Sequence, residues 1–288
     1  MNQVKIITDS TNDLDPNLLK EKEVVVLPLS VNFSDEAFLD GVDITTEQLY
    51  QKVSEKNELP KTAAICVADF VQVFEKYVQE GYDVVFTGIS KQMSRTYENA
   101  VLAANEVASD RIFVVDSMNL STGIGLLVLK ACKYRDAGDS AATIAQKLNE
   151  DNKRVLSQFV IDTMDYLHKG GRCSSLTKIV GTLLKIKPLI AVRDGKMHVA
   201  KKPHGKIKAG LDLMLQQLKD DSNRLDLDCI IVTHSMAYES RDYLVSQIKT
   251  FLPDVPLYTT LAGCVISSHC GPGTIGILYM VKPDSTSL

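Results

Sequence analysis

The sequence has no excess of positive charge: 32 Lys plus Arg stand against 36 Asp plus Glu in 288 residues, a formal net charge of −4. A generic nucleic-acid binder carries a large basic excess, so no nucleic-acid partner is expected. Long hydrophobic runs are missing too. The opening Met-Asn-Gln-Val-Lys-Ile-Ile-Thr-Asp turns polar and acidic after two isoleucines, which leaves no apolar signal-peptide core. Val255–Val281 contains no Asp, Glu, Lys or Arg, but its prolines, glycines and hydroxyl residues fall short of the ~20 mostly apolar residues of a spanning helix. A soluble, cytoplasmic chain is the expectation. The six cysteines contain no CxxC pair, so reduced thiols are expected. Cys264, His269 and Cys270 are poorly spaced for a tetrahedral zinc site, and no metal is expected.

Motifs for several enzyme classes are absent as well. Gly195-Lys196-Met197 and Gly205-Lys206-Ile207 lack the Ser/Thr and the upstream Gly of a phosphate loop. There is no G-x-S-x-G elbow of an α/β-hydrolase. Gly271, Gly273 and Gly276 formally match G-x-G-x-x-G, yet the 12 residues after them are too few for the helix, second strand and ribose-binding acid of a dinucleotide site. No cofactor is expected.

What is present is an ordinary globular composition, 45% apolar and 24% charged. At roughly 150 residues per domain, the length suggests two domains. In the first half, β-branched runs at Val4–Thr8, Val24–Val31, Asp83–Thr87 and Arg111–Val115 alternate with amphipathic stretches at Gln48–Lys56, Phe70–Gln79, Thr96–Ala108 and Ser121–Tyr134. Such alternation predicts an α/β domain with a largely parallel sheet flanked by helices. Beyond it come a strand at Phe159–Ile161, a helical turn at Met164–His168 stopped by Gly170-Gly171, and a hairpin, Leu189–Val192 and Met197–Ala200, turning at Asp194-Gly195. Helices at Ile207–Lys219 and Tyr238–Phe251, a strand at Cys229–Thr233 and final strands follow. Polar Asn149–Arg154 places a boundary between an N-terminal domain, 1–153, and a smaller, mixed-sheet α/β domain, 154–288.

Chemistry-bearing residues gather at strand ends. Thr8-Asp9-Ser10, Thr87-Gly88-Ile89-Ser90 with nearby Ser94, and Asp116-Ser117 each follow a predicted strand. Each suits a helix cap or turn; together, on one sheet edge, they suit a small carboxylate or phosphate site. His269 sits beside the glycine turn 271–273, where either a structural hydrogen bond or a ligand contact fits. Lys169-Gly170-Gly171-Arg172 joins pliable backbone to cations, either as a helix C-cap or as an approach to an anion. From Lys185 to Lys208 the net charge is +7, against −11 for the rest. Such a stretch fits a solvated face, an acidic partner or an anionic membrane surface.

In this order, Thr8-Asp9-Ser10, Pro60-Lys61-Thr62, Ser94-Arg95-Thr96-Tyr97, Val115-Asp116-Ser117, Tyr166-Leu167-His168-Lys169-Gly170-Gly171-Arg172 and His269-Cys270-Gly271-Pro272-Gly273 resemble the DegV family of bacterial lipid-binding proteins, which includes the FakB subunits of fatty acid kinase. The resemblance spans essentially the whole chain. It implies a long-chain fatty acid, such as palmitate, in a tunnel between two domains. The carboxylate contacts fall on Thr62 and Ser94, the glycine-turn histidine on His269 and the arginine after the glycines on Arg172. It also implies a carrier without catalytic residues, which presents the carboxylate to an ATP-dependent fatty acid kinase making an acyl phosphate for phospholipid synthesis. The chain departs from the family's usual wording at Ala63-Ala64-Ile65 after Thr62 and at Arg95 between Ser94 and Thr96. The alternative reading is a stand-alone acyl hydrolase or transferase using Ser94 or Ser117 with His269.

Overall fold

In the computed structural model, which describes residues 2–172 and 186–283, the chain begins with β1 (Val4–Asp9), α1 (Pro16–Glu21) and β2 (Val25–Leu27). Three short elements, β3 (Ser30–Asn32), β4 (Ala37–Leu39) and β5 (Lys61–Ala63), enclose α2 (Thr46–Lys56) in sequence. Next come α3 (Val67–Gln79), β6 (Asp83–Gly88), α4 (Thr96–Val107), β7 (Ile112–Asp116), α5 (Thr122–Asp136) and α6 (Ala141–Asp151). Strands β2, β1, β6 and β7 form a parallel sheet in that order, and β4-β3-β5 a small antiparallel one.

Pleating divides the parallel sheet's side chains between two cores. Ile6, Val85 and Val115 face one side, where α5 and α6 pack. Ile7, Val84, Phe86 and Ile112 face the other, with Phe70 and Phe74 of α3 and Ala100 and Ala103 of α4. A parallel sheet covered on both faces needs apolar residues in succession, which is why β1 and β6 read as unbroken runs. The sequence predicts one strand over Val24–Val31. Two are found, because Pro28 cannot continue a hydrogen-bonded ladder: β2 ends at Leu27, and β3 joins the small sheet.

After a short 3-10 turn at Asn152–Arg154 come β8 (Val155–Val160), α7 (Asp165–Gly170), β9 (Leu189–Arg193), β10 (Lys196–Lys201) and α8 (Lys208–Asp220). The chain continues through β11 (Leu225–His234), α9 (Tyr238–Phe251), β12 (Leu257–Leu261), α10 (Cys264–Cys270) and β13 (Ile275–Val281). These strands make a mixed sheet in the order β10-β9-β8-β13-β11-β12, parallel only between β11 and β12. The predicted hairpin is present as β9–β10, with Gly195 at φ +73° in its turn. The polar residues proposed as a boundary are the end of α6, a helix the sequence reading omitted, and the turn into β8.

Helix α5 lies between the two large sheets and contacts β1 and β6 on one side and β8, β11 and β13 on the other. A helix enclosed in this way must be apolar nearly all round, as Ile124, Leu126, Leu127, Val128 and Ala131 are. Its far end carries Lys130, which binds Asp226 and Asp228 where β11 bulges. No described helix is long and apolar enough to cross a membrane.

Candidate functional site

Helix α10 belongs to the second half of the sequence but packs against α2, β3 and β5 of the first. The glycine turn expected at 271–273 is present, with Gly271 and Gly273 at φ near +80°, and the residues before it, to which the sequence reading assigns no element, form the helix. Two buried carboxylates hold its N-terminus. Asp13 accepts from Gly263 N (2.8 Å) and from the Ser121 hydroxyl (2.5 Å), while Asp40 accepts from Cys264 N (2.7 Å). Asp9 lies in the same interior, accepting from Thr11 N and Ile89 N. Burial raises all three above the ordinary carboxylate range, Asp9 to about 6. The reading of Asp9 as one edge of an anion site is thereby corrected: its oxygens are committed to the loops after β1 and β6. Asp13 and Asp40 were missed, although Asp-Ser-Thr-Asn-Asp directly after an apolar strand was a signal for buried turn carboxylates.

The C-terminal end of α10 faces a cavity of about 230 Å3 between the halves. Thr62, Ser94, Arg172 and His269 all line it, together with Arg95. Its apolar wall is built from Leu29, Ile89, Met93, Leu120, Met197 and Ile266. Four separate stretches supply the polar groups. Thr62 is in β5, Ser94 precedes α4, Arg172 follows the glycine stop of α7, and His269 is in the last turn of α10. The hairpin closes one side, where Ser90 Oγ donates to Gly195 O (2.9 Å).

Within the cavity, Thr62 Oγ1 and His269 Nε2 are 2.8 Å apart. Burial holds the imidazole at about 4, with Arg172 adding to the effect, so the ring is neutral at pH 7. Nδ1 is buried without a partner among the described residues, beside Gly170, where an added Cβ would lie 2.4 Å from it. With the ring proton on Nε2, His269 donates to Thr62, whose own proton is then free to turn into the cavity. Ser94 Oγ accepts from Thr96 N (3.2 Å) and lies 2.9 Å from Thr96 Oγ1, so the cap expected there exists while the hydroxyl still faces the cavity. Gly171, at φ +67°, ends α7, and Arg172 Nη1 donates to Gly170 O (2.7 Å). Both pliable backbone and available cation are therefore realised at this turn.

Ser117 is not part of this group. It is fully buried and bonded to the backbone of Asn119. His269 bonds a threonine instead of a serine, and among the described residues no carboxylate is bonded to its Nδ1, so these residues do not form the Ser-His-Asp arrangement of the hydrolase alternative. Among the described residues, no group of three or more His, Cys, Asp or Glu is arranged to hold a metal ion, and the five described cysteines form no disulfide. Cys173 and Lys185 lie outside the described residues.

A second void of about 30 Å3, lined also by Phe159 and Leu278, shares Leu120, Ile266 and Cys270 with the main cavity. Its hydroxyl residues do not make it polar. Thr233 bonds Thr122 and Thr260, Ser235 bonds Tyr50 and Ser267, and Thr274 bonds Cys270 O. The larger cavity thus carries the polar groups, while the hydroxyls beside the smaller void are bonded within the protein.

The chain is thus an α/β protein with a cavity, polar on one side and apolar on the other, between its parallel and mixed sheets. The chain belongs to the DegV family: the family model described as "Uncharacterised protein, DegV family" matches residues 3–282. A DegV domain-containing protein of Clostridium acetobutylicum is 33% identical over 283 residues, covering 98% of this chain and 100% of the relative. A fatty-acid-binding DegV family protein of Thermus thermophilus superposes with a TM-score of 0.88 at 28% identity, over 98% of this chain and 100% of that one. A stearic-acid-binding protein of Eubacterium ventriosum superposes with a TM-score of 0.85 at 27% identity, over 98% and 99%.

Proposed function

We propose that the chain binds a long-chain fatty acid and presents its carboxylate to a separate ATP-dependent kinase. The observation that carries this reading is the joining of neutral donors at the mouth to a dry, two-part void behind them. The fatty-acid binding described for the Thermus and Eubacterium proteins supports it. Thr62 and Ser94 donate hydrogen bonds to the carboxylate, Arg172 balances its charge, and His269 orients Thr62. The tail passes Leu120, Ile266 and Cys270 toward Phe159. Each buried methylene contributes about 0.8 kcal/mol, so the tail supplies most of the affinity.

In the partner's reaction, a carboxylate oxygen attacks the γ-phosphorus of ATP. The acyl O–P bond forms as the bond to ADP breaks, and ADP leaves. No side chain of this protein removes a proton, since the carboxylate is already ionised at neutral pH. Neutral hydroxyls suit that role because a tight ion pair would lower the nucleophilicity of the oxygen. The basic hairpin adjoins the mouth through Met197. Arg193, Lys196, Lys201, Lys202 and Lys206 form no ion pairs among the described residues, leaving them available to an acidic docking surface on the kinase.

Displacement of a fluorescent fatty acid from purified protein tests the binding step. Thr62→Ala with Ser94→Ala is expected to weaken palmitate about 100-fold, the scale of two hydrogen bonds to a charged group. Unchanged affinity in that variant would dismiss the carboxylate site. Acyl-phosphate formation with added kinase and ATP tests the second step separately.

A further inference from the structure

The mixed sheet ends in two unlike edges. At one, β10 carries Lys196, His198 and Lys201 and shifts register between Val199 and Lys201. Charge and a bulge are the usual protections of an edge strand against pairing with another chain. At the other edge, β12 has neither. Leu257-Tyr258-Thr259-Thr260-Leu261 pairs with β11 without a register shift, and Val255–Val281 around it contains no Asp, Glu, Lys or Arg. Thr259 is exposed, and the large Tyr258 side chain is 43% exposed.

The ladder shows which backbone groups of β12 are spent. Pro256 O accepts from Ile230 N (2.9 Å), and Ala262 N donates to His234 O (2.8 Å). Bonds to one neighbour fall on alternate residues, so Pro256, Tyr258, Thr260 and Ala262 are turned toward β11. Leu257, Thr259 and Leu261 turn their N–H and C=O groups outward, where no hydrogen bond meets them among the described residues.

We infer that this edge pairs with the same edge of a second copy of the chain, β12 antiparallel to β12, across a two-fold axis at Thr259. The outward set is symmetric about that residue. The axis sets Thr259 against Thr259 of the second copy, and Leu257 against Leu261 of the second copy, each as a pair exchanging both N–H···O=C bonds. Every outward group of the strand is then bonded, and the two mixed sheets become one. Tyr258 falls opposite Thr260 of the second copy, leucine meets leucine, and no like charges face each other. This symmetry and lack of charge favour a second copy over an unlike strand. A five-residue ladder is a small interface, so the association is reversible. The basic hairpin stands at the opposite edge, five strand spacings or about 24 Å away, and takes no part. The pairing is independent of what the cavity binds.

Sedimentation equilibrium of the whole chain, from low micromolar to near-millimolar concentration, tests the pairing. The wild-type mass is expected to rise from 31.7 kDa toward twice that value and to stop there. Thr259→Lys places like charges on the axis and should weaken association about tenfold or more, as should Thr259→Glu. An equimolar mixture of those two variants should associate again, because opposite charges then meet. Thr259→Pro removes an outward N–H and no bond to β11, and should also weaken association. Melting temperatures close to wild type establish that the variants are folded. A wild type that stays a single chain throughout, a mass that climbs past the dimer, a dimer that Thr259→Lys leaves intact, or a mixture no more associated than its components overturns the inference.

Discussion

The two ends of α10 are built from opposite materials. At its N-terminus, buried Asp13 and Asp40 accept hydrogen bonds from Gly263 and Cys264. At its other end, His269 meets a threonine, and among the described residues the cavity is lined by two arginines and no carboxylate. At one end the carboxylates accept from the backbone of the helix and hold it in place; the other has donors and cations facing a void and is suited to a ligand. The contrast explains why buried polarity alone does not locate a binding site: Asp9, Asp13 and Asp40 are more deeply buried than Arg95 or Arg172, yet their hydrogen bonds are spent on the fold.

The largest expected effect lies at the acidic end. Asp13→Ala leaves Gly263 N and the Ser121 hydroxyl without their partner, and is expected to cost about 3 kcal/mol in denaturant unfolding. Asp13→Asn keeps an acceptor for Gly263 and should cost less than about 1 kcal/mol. Equal losses in the two variants would mean that the charge, and not the hydrogen bonds, matters there.

A smaller effect follows from ionisation. The folded-state value of Asp9 is about 6, above its unfolded value of 3.8. Its contribution to stability is therefore full below pH 3.8 and is lost as pH rises through about 6. His269 opposes this in the same window, since its depressed value removes stability as pH falls from 6.5 toward 4. With His269→Gln the opposing group is gone, and unfolding free energy should rise by about 1–2 kcal/mol between pH 7 and pH 5. A flat profile in that variant would contradict the raised values of the buried carboxylates, and Asp9→Asn, which leaves Asp13 and Asp40 in place, should reduce the rise if Asp9 contributes to it.

The smallest expected effect lies at the ligand end and is felt in binding. Gly170→Ala directs a methyl group at His269 Nδ1 and displaces the ring from Thr62. Palmitate affinity should fall about tenfold, with the melting temperature within a few degrees of wild type. Normal affinity would show that His269 does not orient Thr62.

Much of this contrast is legible in the sequence, but unevenly. Strand-helix alternation announces the parallel sheet, Asp194-Gly195 the hairpin, and Gly170-Gly171 the stop before Arg172. Thr62, Ser94, Arg172 and His269 are found together through the family resemblance, because their contacts span up to 207 residues of sequence and no local pattern encodes them. Helix α10 is hidden by its glycine-flanked, uncharged sequence, which lacks the polar face that would mark a helical period. Asp13 and Asp40 pass as ordinary turn acids until α10, more than 200 residues later, is seen to rest on them.

Native mass spectrometry of gently purified protein tests the central claim most directly. The expected result is a protein carrying the mass of one long-chain fatty acid, lost on denaturation, or one that takes up a single equivalent of added palmitate. A protein that is consistently empty, and stays empty with excess palmitate, would contradict it.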